Sequence, residues 1–582
     1  MQILPHKSAD YAKVKNLLPE GLIPTVERAK TPWLLLSLIA LLLAWPAPRH
    51  VGSNALARFA TTVRLVDNHT LELGPYAAKT NDVAIYHGRA YTDKAPGVSL
   101  FLVPAYALVR FITKDFDLAL QISRLFSLTL LVLLAVWLFW RKLPDWGVDE
   151  SLAQISLTTL AVGTFGWAYF SMLYGHGFVT VFILAGILWL VEYRRGNAEK
   201  VGLLIASGAC FGLAIAFEFP AAVLGAVAGI YLLSFERKIS RIFLFALLGV
   251  LLPALVIGGF NYAAYGDPLH LGYSQVKSEY YNARMSEGLV GIHWPSLANL
   301  YLLLLSPAKG MFFWSPVLLC GLIGCLMMIK HQRREGLLLT GMFLSYLLLF
   351  SGHFEAGGGA GLGPRHLTPL IAPLLLAGVW WAARSGAAGR GMFISLAFLS
   401  SQFSAIGVMT EPQMPDRVVN PIWEFALPMA FDGVGPGNLF GLPDKWALII
   451  GLILLLALWL IALRLEMKTA DRRVTLALRI TFVLALAIYC GIGPHLGHTE
   501  PGMLDQVRGN HFMVREDYSR AVEEYQAAFK TRKDPWILYY QLSALYKAGR
   551  DAEAIRVWQQ LQKFDPGFIS RLNGSTATSP EP

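Results

Sequence analysis

LALQISRLFSLTLLVLLAVWLFW, residues 118–140, contains one charge, Arg124, and is followed at once by Arg141 and Lys142. A helix needs about 20 predominantly apolar residues to cross a hydrocarbon layer about 30 Å thick. A basic pair at one end marks the side that the positive-inside rule assigns to the cytoplasm. Twelve more apolar windows follow the same reading, at 33–45, 152–170, 178–191, 201–217, 221–235, 242–262, 312–329, 337–350, 367–381, 392–409, 446–463 and 476–492. The whole chain is 55% hydrophobic and only 15% charged, a balance in which the bilayer rather than water is the main solvent. The sequence therefore predicts an all-α, polytopic membrane helix bundle of about thirteen spans.

The charges lie between the windows and alternate in kind. Arg141-Lys142, Arg194-Arg195 with Lys200, Arg237-Lys238 with Arg241, Lys330 to Arg334, Arg384 with Arg390, and Lys468 to Arg473 share one face, expected to be cytoplasmic with the N-terminal segment 1–32. The other face receives the long loops 47–117, 263–310 and 411–445 and the short ones around His176, Glu218 and Arg365. An odd span count also puts the C-terminal residues 494–582 there. Residues 98–112 are interrupted by Pro104 and end near Arg110, so they read as a juxtamembrane helix rather than a span; 300–306 reads as interfacial. The net charge of +10 belongs to the membrane-flanking clusters. No basic stripe with interleaved aromatics points to nucleic acid. Cys210, Cys320, Cys325 and Cys490 all stand in apolar runs without metal-ligand spacing.

The loop 47–117 is the richest in chemistry. It holds Arg58-Phe59-Ala60, the acids Asp67, Asp82 and Asp93, and the run Gly88-Arg89-Ala90-Tyr91-Thr92-Asp93-Lys94-Ala95-Pro96-Gly97. A carboxylate able to take a proton beside a cation able to hold phosphate is what glycosyl transfer from a lipid phosphate requires.

These elements resemble the GT-C superfamily of polyprenyl-phosphate-dependent glycosyltransferases, relatives of protein mannosyltransferases and aminoarabinose transferases. The resemblance runs over about residues 33–492, and Asp93-Lys94-Ala95-Pro96-Gly97 is similar to a bacterial branch of them. Tyr265-Gly266-Asp267-Pro268 with Gly272-Tyr273, Lys309-Gly310-Met311-Phe312 with Ser315-Pro316, and Gly363-Pro364-Arg365-His366 add to it. The family's acid pair before the Arg-Tyr-Ala element is absent here, where Ser53-Asn54-Ala55-Leu56-Ala57 stands. Two further family positions are filled by Tyr174-Gly175-His176 and Glu218-Phe219-Pro220.

The resemblance implies an inverting transferase in the bacterial inner membrane, moving a sugar from a polyprenyl-phosphate donor to an extracytoplasmic acceptor. Its base would be Asp93, with Asp82 and Asp67 as rivals, unless Asp93 only pairs with Lys94. Lys94, Arg365 and Arg58 would hold the donor phosphate; for Lys94 the other role is snorkelling at the interface, and for Arg365 capping a span. Tyr91, His176, Glu218 and His366 are expected at the substrate cavity, Glu218 because an ionisable group at span depth is costly unless it faces a cavity. No cofactor is implied with certainty, and a divalent metal, Mg or Mn, stays open. The other reading is a non-catalytic scaffold that binds a lipid-linked glycan.

From Pro494 the composition becomes soluble and helical. Ala521-Val522-Glu523-Glu524-Tyr525 and Ala554-Ile555-Arg556-Val557-Trp558 match at an offset of 33, and Gly549 to Ala554 with Asp565-Pro566 resemble a tetratricopeptide repeat. Two repeats rarely bury a core alone. The pair is expected to dock on the membrane domain or a protein partner, with a flexible tail from about 571.

Overall fold

The computed structural model describes residues 32–47, 51–196, 200–469, 472–568 and 572. Nearly all of the N-terminal segment and the expected tail lie outside the described residues. The described residues from 35 onward form one compact unit.

The chain is an all-α polytopic membrane bundle carrying one β-hairpin among its described residues. Among the described residues seven helices are long and apolar enough to cross a membrane: Phe116–Trp146, Gly175–Arg195, Ile239–Tyr265, Arg333–Ser351, Gly386–Thr410, Asp444–Lys468 and Arg472–His495. The other six expected windows fall on shorter or broken helices. Window 152–170 splits into Glu150–Val162 and Gly166–Ser171, and window 312–329 into Met311–Trp314 and Leu318–His331. The two breaks meet. Phe165 N–H donates to Ser315 Oγ (2.8 Å), and Val317 N–H donates to Ser400 Oγ (3.1 Å), so hydroxyls satisfy amides that lipid could not.

Glycines set the closest helix contacts, as expected where helices associate without a hydrophobic driving force. A Cβ on Gly321 or Gly324 of Leu318–His331 would run into the carbonyls of Leu374 or Ala377 on Ile371–Ala382. Gly208 and Gly212 of Val201–Phe217 lie in the same way against Phe245 and Leu248 of Ile239–Tyr265.

The two sets of loops keep apart as the charge pattern predicts. On the basic face Lys142 pairs with Glu192 (2.6 Å), Arg194 with Glu335, and Arg390 with both Asp149 and Glu466. Arg384 Nη2 donates to Trp146 O (2.9 Å). On the other face the loop after residue 51 folds back on itself. Residues 98–112 become Gly97–Phe101 and Val103–Val109, each too short to span, packed on Ser53–Asn68 through Ser99 Oγ to Arg58 O (2.9 Å) and Thr62 Oγ1 to Ser99 O (2.8 Å). Residues 300–306 fall on and just past the eight-residue helix Leu297–Leu304.

Beyond the last apolar helix come Pro501–Val514, Tyr518–Thr531, Pro535–Lys547 and Asp551–Phe564. They form two helical hairpins, and the matching segments seen in the sequence occupy the second and fourth helices. The domain is fastened to the loop 411–445: Thr499 Oγ1 donates to Glu424 Oε2 (2.6 Å), Arg508 Nη2 to Glu424 O (2.8 Å), and Arg515 pairs with Asp444 (3.0 Å).

Candidate functional site

Strands β1 (Val83–Tyr86) and β2 (Arg89–Thr92) pair antiparallel in a register that sets Val83 opposite Thr92. Their turn, His87-Gly88, has φ of 49° and 77°, and two successive positive angles match the right-handed twist of a hairpin. The register fixes the chemistry, because Asp82 just before β1 is brought beside Asp93-Lys94 just after β2. Lys94 Nζ lies 3.0 Å from Asp82 Oδ1 and 3.2 Å from Asp93 Oδ2. Asp93 Oδ1 is buried and has no hydrogen-bond partner among the described residues. Burial pushes the Asp93 carboxyl up to about 6, against the pull of Lys94. Burial would lower the Lys94 ammonium, but the two carboxylates outweigh it and hold the group above its ordinary range.

The rest of the Asp-Lys-Ala-Pro-Gly run has structural reasons. Ala95 O accepts from Arg58 Nη1 (3.1 Å), and a Cβ on Gly97 would meet the Ala216 carbonyl at 2.5 Å. The turn is thus pressed onto the end of Val201–Phe217, where Glu218 follows. Arg58 is fully buried, donating to Glu218 Oε1 (2.6 Å) and to Asn54 Oδ1 (2.9 Å).

Asp82, Asp93 and Lys94 line a cavity of about 360 Å³ together with Asn54, Tyr174, Glu355 and Arg365. Arg365 stands 5.8 Å from the Tyr174 ring, and its Nε is buried without a partner among the described residues. More of the wall comes from Glu411, Gln413, Asp416 and Arg417 and, in the C-terminal domain, from Val507, Asn510, His511 and Val514. Every lining segment belongs to a loop or domain that the charge pattern put on one face.

Of the residues expected from the sequence, Asp82, Asp93, Lys94 and Arg365 converge here and six do not line the cavity. Asp67 sits at the far end of Ser53–Asn68, accepting from Tyr106 OH (2.7 Å) and pairing with Arg110 (3.0 Å). There it holds Ser53–Asn68 to Val103–Val109 and its flank, away from the cavity. Arg58 and Glu218 pair with each other (2.6 Å) and do not line it. Tyr91 packs on Tyr265 at 5.3 Å, on the back of the hairpin. His176 and His366 meet edge to face at 5.4 Å, and His366 stacks on Phe350 at 4.6 Å.

Glu355, Tyr281 and the acidic loop after Thr410 were not expected. The signal for Glu355 was its place before five glycines in residues 357–363, leading to Arg365. Among the described residues no three His, Cys, Asp or Glu side chains group as a metal would require. Asp82 and Asp93 share the Lys94 ammonium instead.

No described protein family matches the chain, and no curated protein matches it. Several solved structures do match. ArnT from Cupriavidus metallidurans bound to undecaprenyl phosphate is 14% identical over 80% of this chain and 77% of its own, with a TM-score of 0.45. Its apo state is 15% identical over 82% and 79%, with a TM-score of 0.41. The oligosaccharyltransferase AglB of Archaeoglobus fulgidus, in complex with an inhibitory peptide and a dolichol-phosphate, is 12% identical over 80% and 60%, with a TM-score of 0.40.

Proposed function

We propose that this chain is a glycosyltransferase of the membrane surface, moving one sugar from a polyprenyl-phosphate-linked donor to an acceptor at the extracytoplasmic face. The observation that carries the reading is a single cavity holding a carboxylate with one free oxygen, a lysine between two acids, and a desolvated arginine. In the reaction the bond from the sugar's anomeric carbon to the phosphate oxygen breaks as the acceptor oxygen bonds to that carbon. The acceptor proton passes to Asp93, and the electron pair leaves on the phosphate. Lys94 and Arg365 face the charge that develops on that leaving group, where preorganised cations act most strongly. Phosphate arriving at Lys94 competes with Asp93 for the ammonium and so releases the carboxylate to act as base.

The sequence resemblance supports the same reading. The N-terminus would be cytoplasmic in a bacterial inner membrane, and the hairpin domain would face outward, there to meet a protein partner. One observation favours the scaffold alternative: Asn54 stands at the cavity where an acid is expected, and both remaining acids are occupied by Lys94. The test is the full-length protein in nanodiscs with undecaprenyl-phosphate-linked sugars, following release of undecaprenyl phosphate. Consumption that is lost in Asp93→Asn supports the enzyme. Tight binding without consumption, unaltered when Asp82 and Asp93 are each neutralised, establishes the scaffold instead.

A further inference from the structure

Residues 355–365 read Glu-Ala-Gly-Gly-Gly-Ala-Gly-Leu-Gly-Pro-Arg. They carry two cavity charges, Glu355 and Arg365, on a backbone with few side chains to pack. Gly358, Gly359, Gly361 and Gly363 have φ of 77°, 63°, 155° and 64°. Glycine loses more freedom on ordering than any other residue, so such a segment holds its shape only if something ties it.

The tie is Lys309. Its Nζ donates to Gly359 O (2.6 Å) and to Gly361 O (2.8 Å), while the residue is only 5% exposed. Among the described residues it makes no ion pair. A buried ammonium held by peptide carbonyls alone is expensive, and an apolar residue would fill the space at less cost. Its hold extends to Arg365 by contact, since a Cβ on Gly358 would lie 2.8 Å from Arg365 Cγ and 3.0 Å from Nε. The glycine backbone therefore rests directly on the arginine stem. With Nε lacking a hydrogen-bond partner, packing sets its direction.

We propose that Lys309 is a positioning residue: by tying the carbonyls of Gly359 and Gly361 it presses the glycine segment onto Arg365 and aims the guanidinium at an anionic ligand, the donor phosphate. The aim at phosphate rests on the function proposed above, and the tie itself does not. The tie is sensitive to pH. Burial lowers the Lys309 ammonium to about 8, with Arg365 pushing the same way and Asp416 and Glu355 opposing.

The test uses the full-length protein in nanodiscs, with hydrogen exchange of the 355–365 segment and affinity for undecaprenyl phosphate as separate readouts. Lys309→Met should raise exchange in that segment and weaken binding about tenfold, the effect of one charge-assisted contact. Arg365→Ala should weaken binding as much, and the double variant no further, because Lys309 acts through Arg365. Lys309→Arg, which keeps a cation in case the methionine variant does not fold, should recover part of the affinity and remove the loosening of the segment above pH 8. Exchange unchanged in Lys309→Met, or additive losses in the double variant, would overturn the proposal. If the wild type binds no undecaprenyl phosphate, the donor reading fails on its own, and exchange still decides the tie.

Discussion

Asp93 is the residue on which the proposed chemistry turns, and its environment makes the pH dependence predictable. With its carboxyl raised to about 6 by burial, the base form is lost as pH falls through that value. The kcat/KM for sugar transfer should therefore drop on an acid limb near pH 6. The stability sign is opposite: between its ordinary value of 3.8 and about 6 the folded state binds more protons than the unfolded, so this group's contribution to stability falls as pH rises. Lys94→Ala should weaken undecaprenyl phosphate binding by about 1.5–3 kcal/mol, with Lys94→Arg restoring part of it, as read by calorimetry. Asp82→Asn is the control for the base, since it removes a partner of Lys94 without touching Asp93 Oδ1. Glu218 pairs with the buried Arg58. Glu218→Ala strands a fully buried guanidinium and should cost about 3–5 kcal/mol in unfolding free energy, whereas Glu218→Gln keeps an acceptor for Arg58 and should cost less.

At the scale of elements, the hairpin and the helix contacts divide the work. The hairpin register places Asp82 beside Lys94, so a change that lengthens its two-residue turn should separate the carboxylates and abolish donor binding while leaving the bundle folded. The bundle depends instead on glycine contacts. Gly324→Leu would force Leu318–His331 away from Ile371–Ala382, because the Cβ already meets the Ala377 carbonyl. Overpacking of this kind costs about 1–3 kcal/mol or more, and thermal unfolding in detergent should show a lowered midpoint. Gly324→Ala should move the midpoint less.

At the scale of the whole molecule, one cavity collects the three long loops of one face, the short ones at Tyr174 and Arg365, and the C-terminal domain. That convergence makes a topological prediction. Single cysteines at the exposed positions Lys79 and Lys533 should react alike with an impermeant thiol reagent on intact cells, and one at Lys200, on the opposite face, should not. Labelling of Lys533Cys without Lys79Cys would break the shared face, and labelling only of Lys200Cys would invert the orientation while keeping the fold.

Hydropathy and loop charge are local properties, and they determined by themselves that the chain is a membrane bundle and which loops share a face. Each follows from the cost of exposing backbone or charge to lipid, which acts on every window separately. The continuity of the spans was less legible, because whether a run such as 152–170 stays helical depends on Ser315, a partner far along the chain. The same limit governs the site. Arg58 and Asp67 are as polar in sequence as Lys94, and only the fold decides that Arg58 meets Glu218 across 160 positions while Asp67 meets Arg110. Glu355, the glycine segment under Lys309 and the wall supplied by Asn510 and His511 belong to the tertiary structure for the same reason. A charge acquires its role from the partner that neutralises it or fails to, and that partner is chosen by packing rather than by neighbours in the chain.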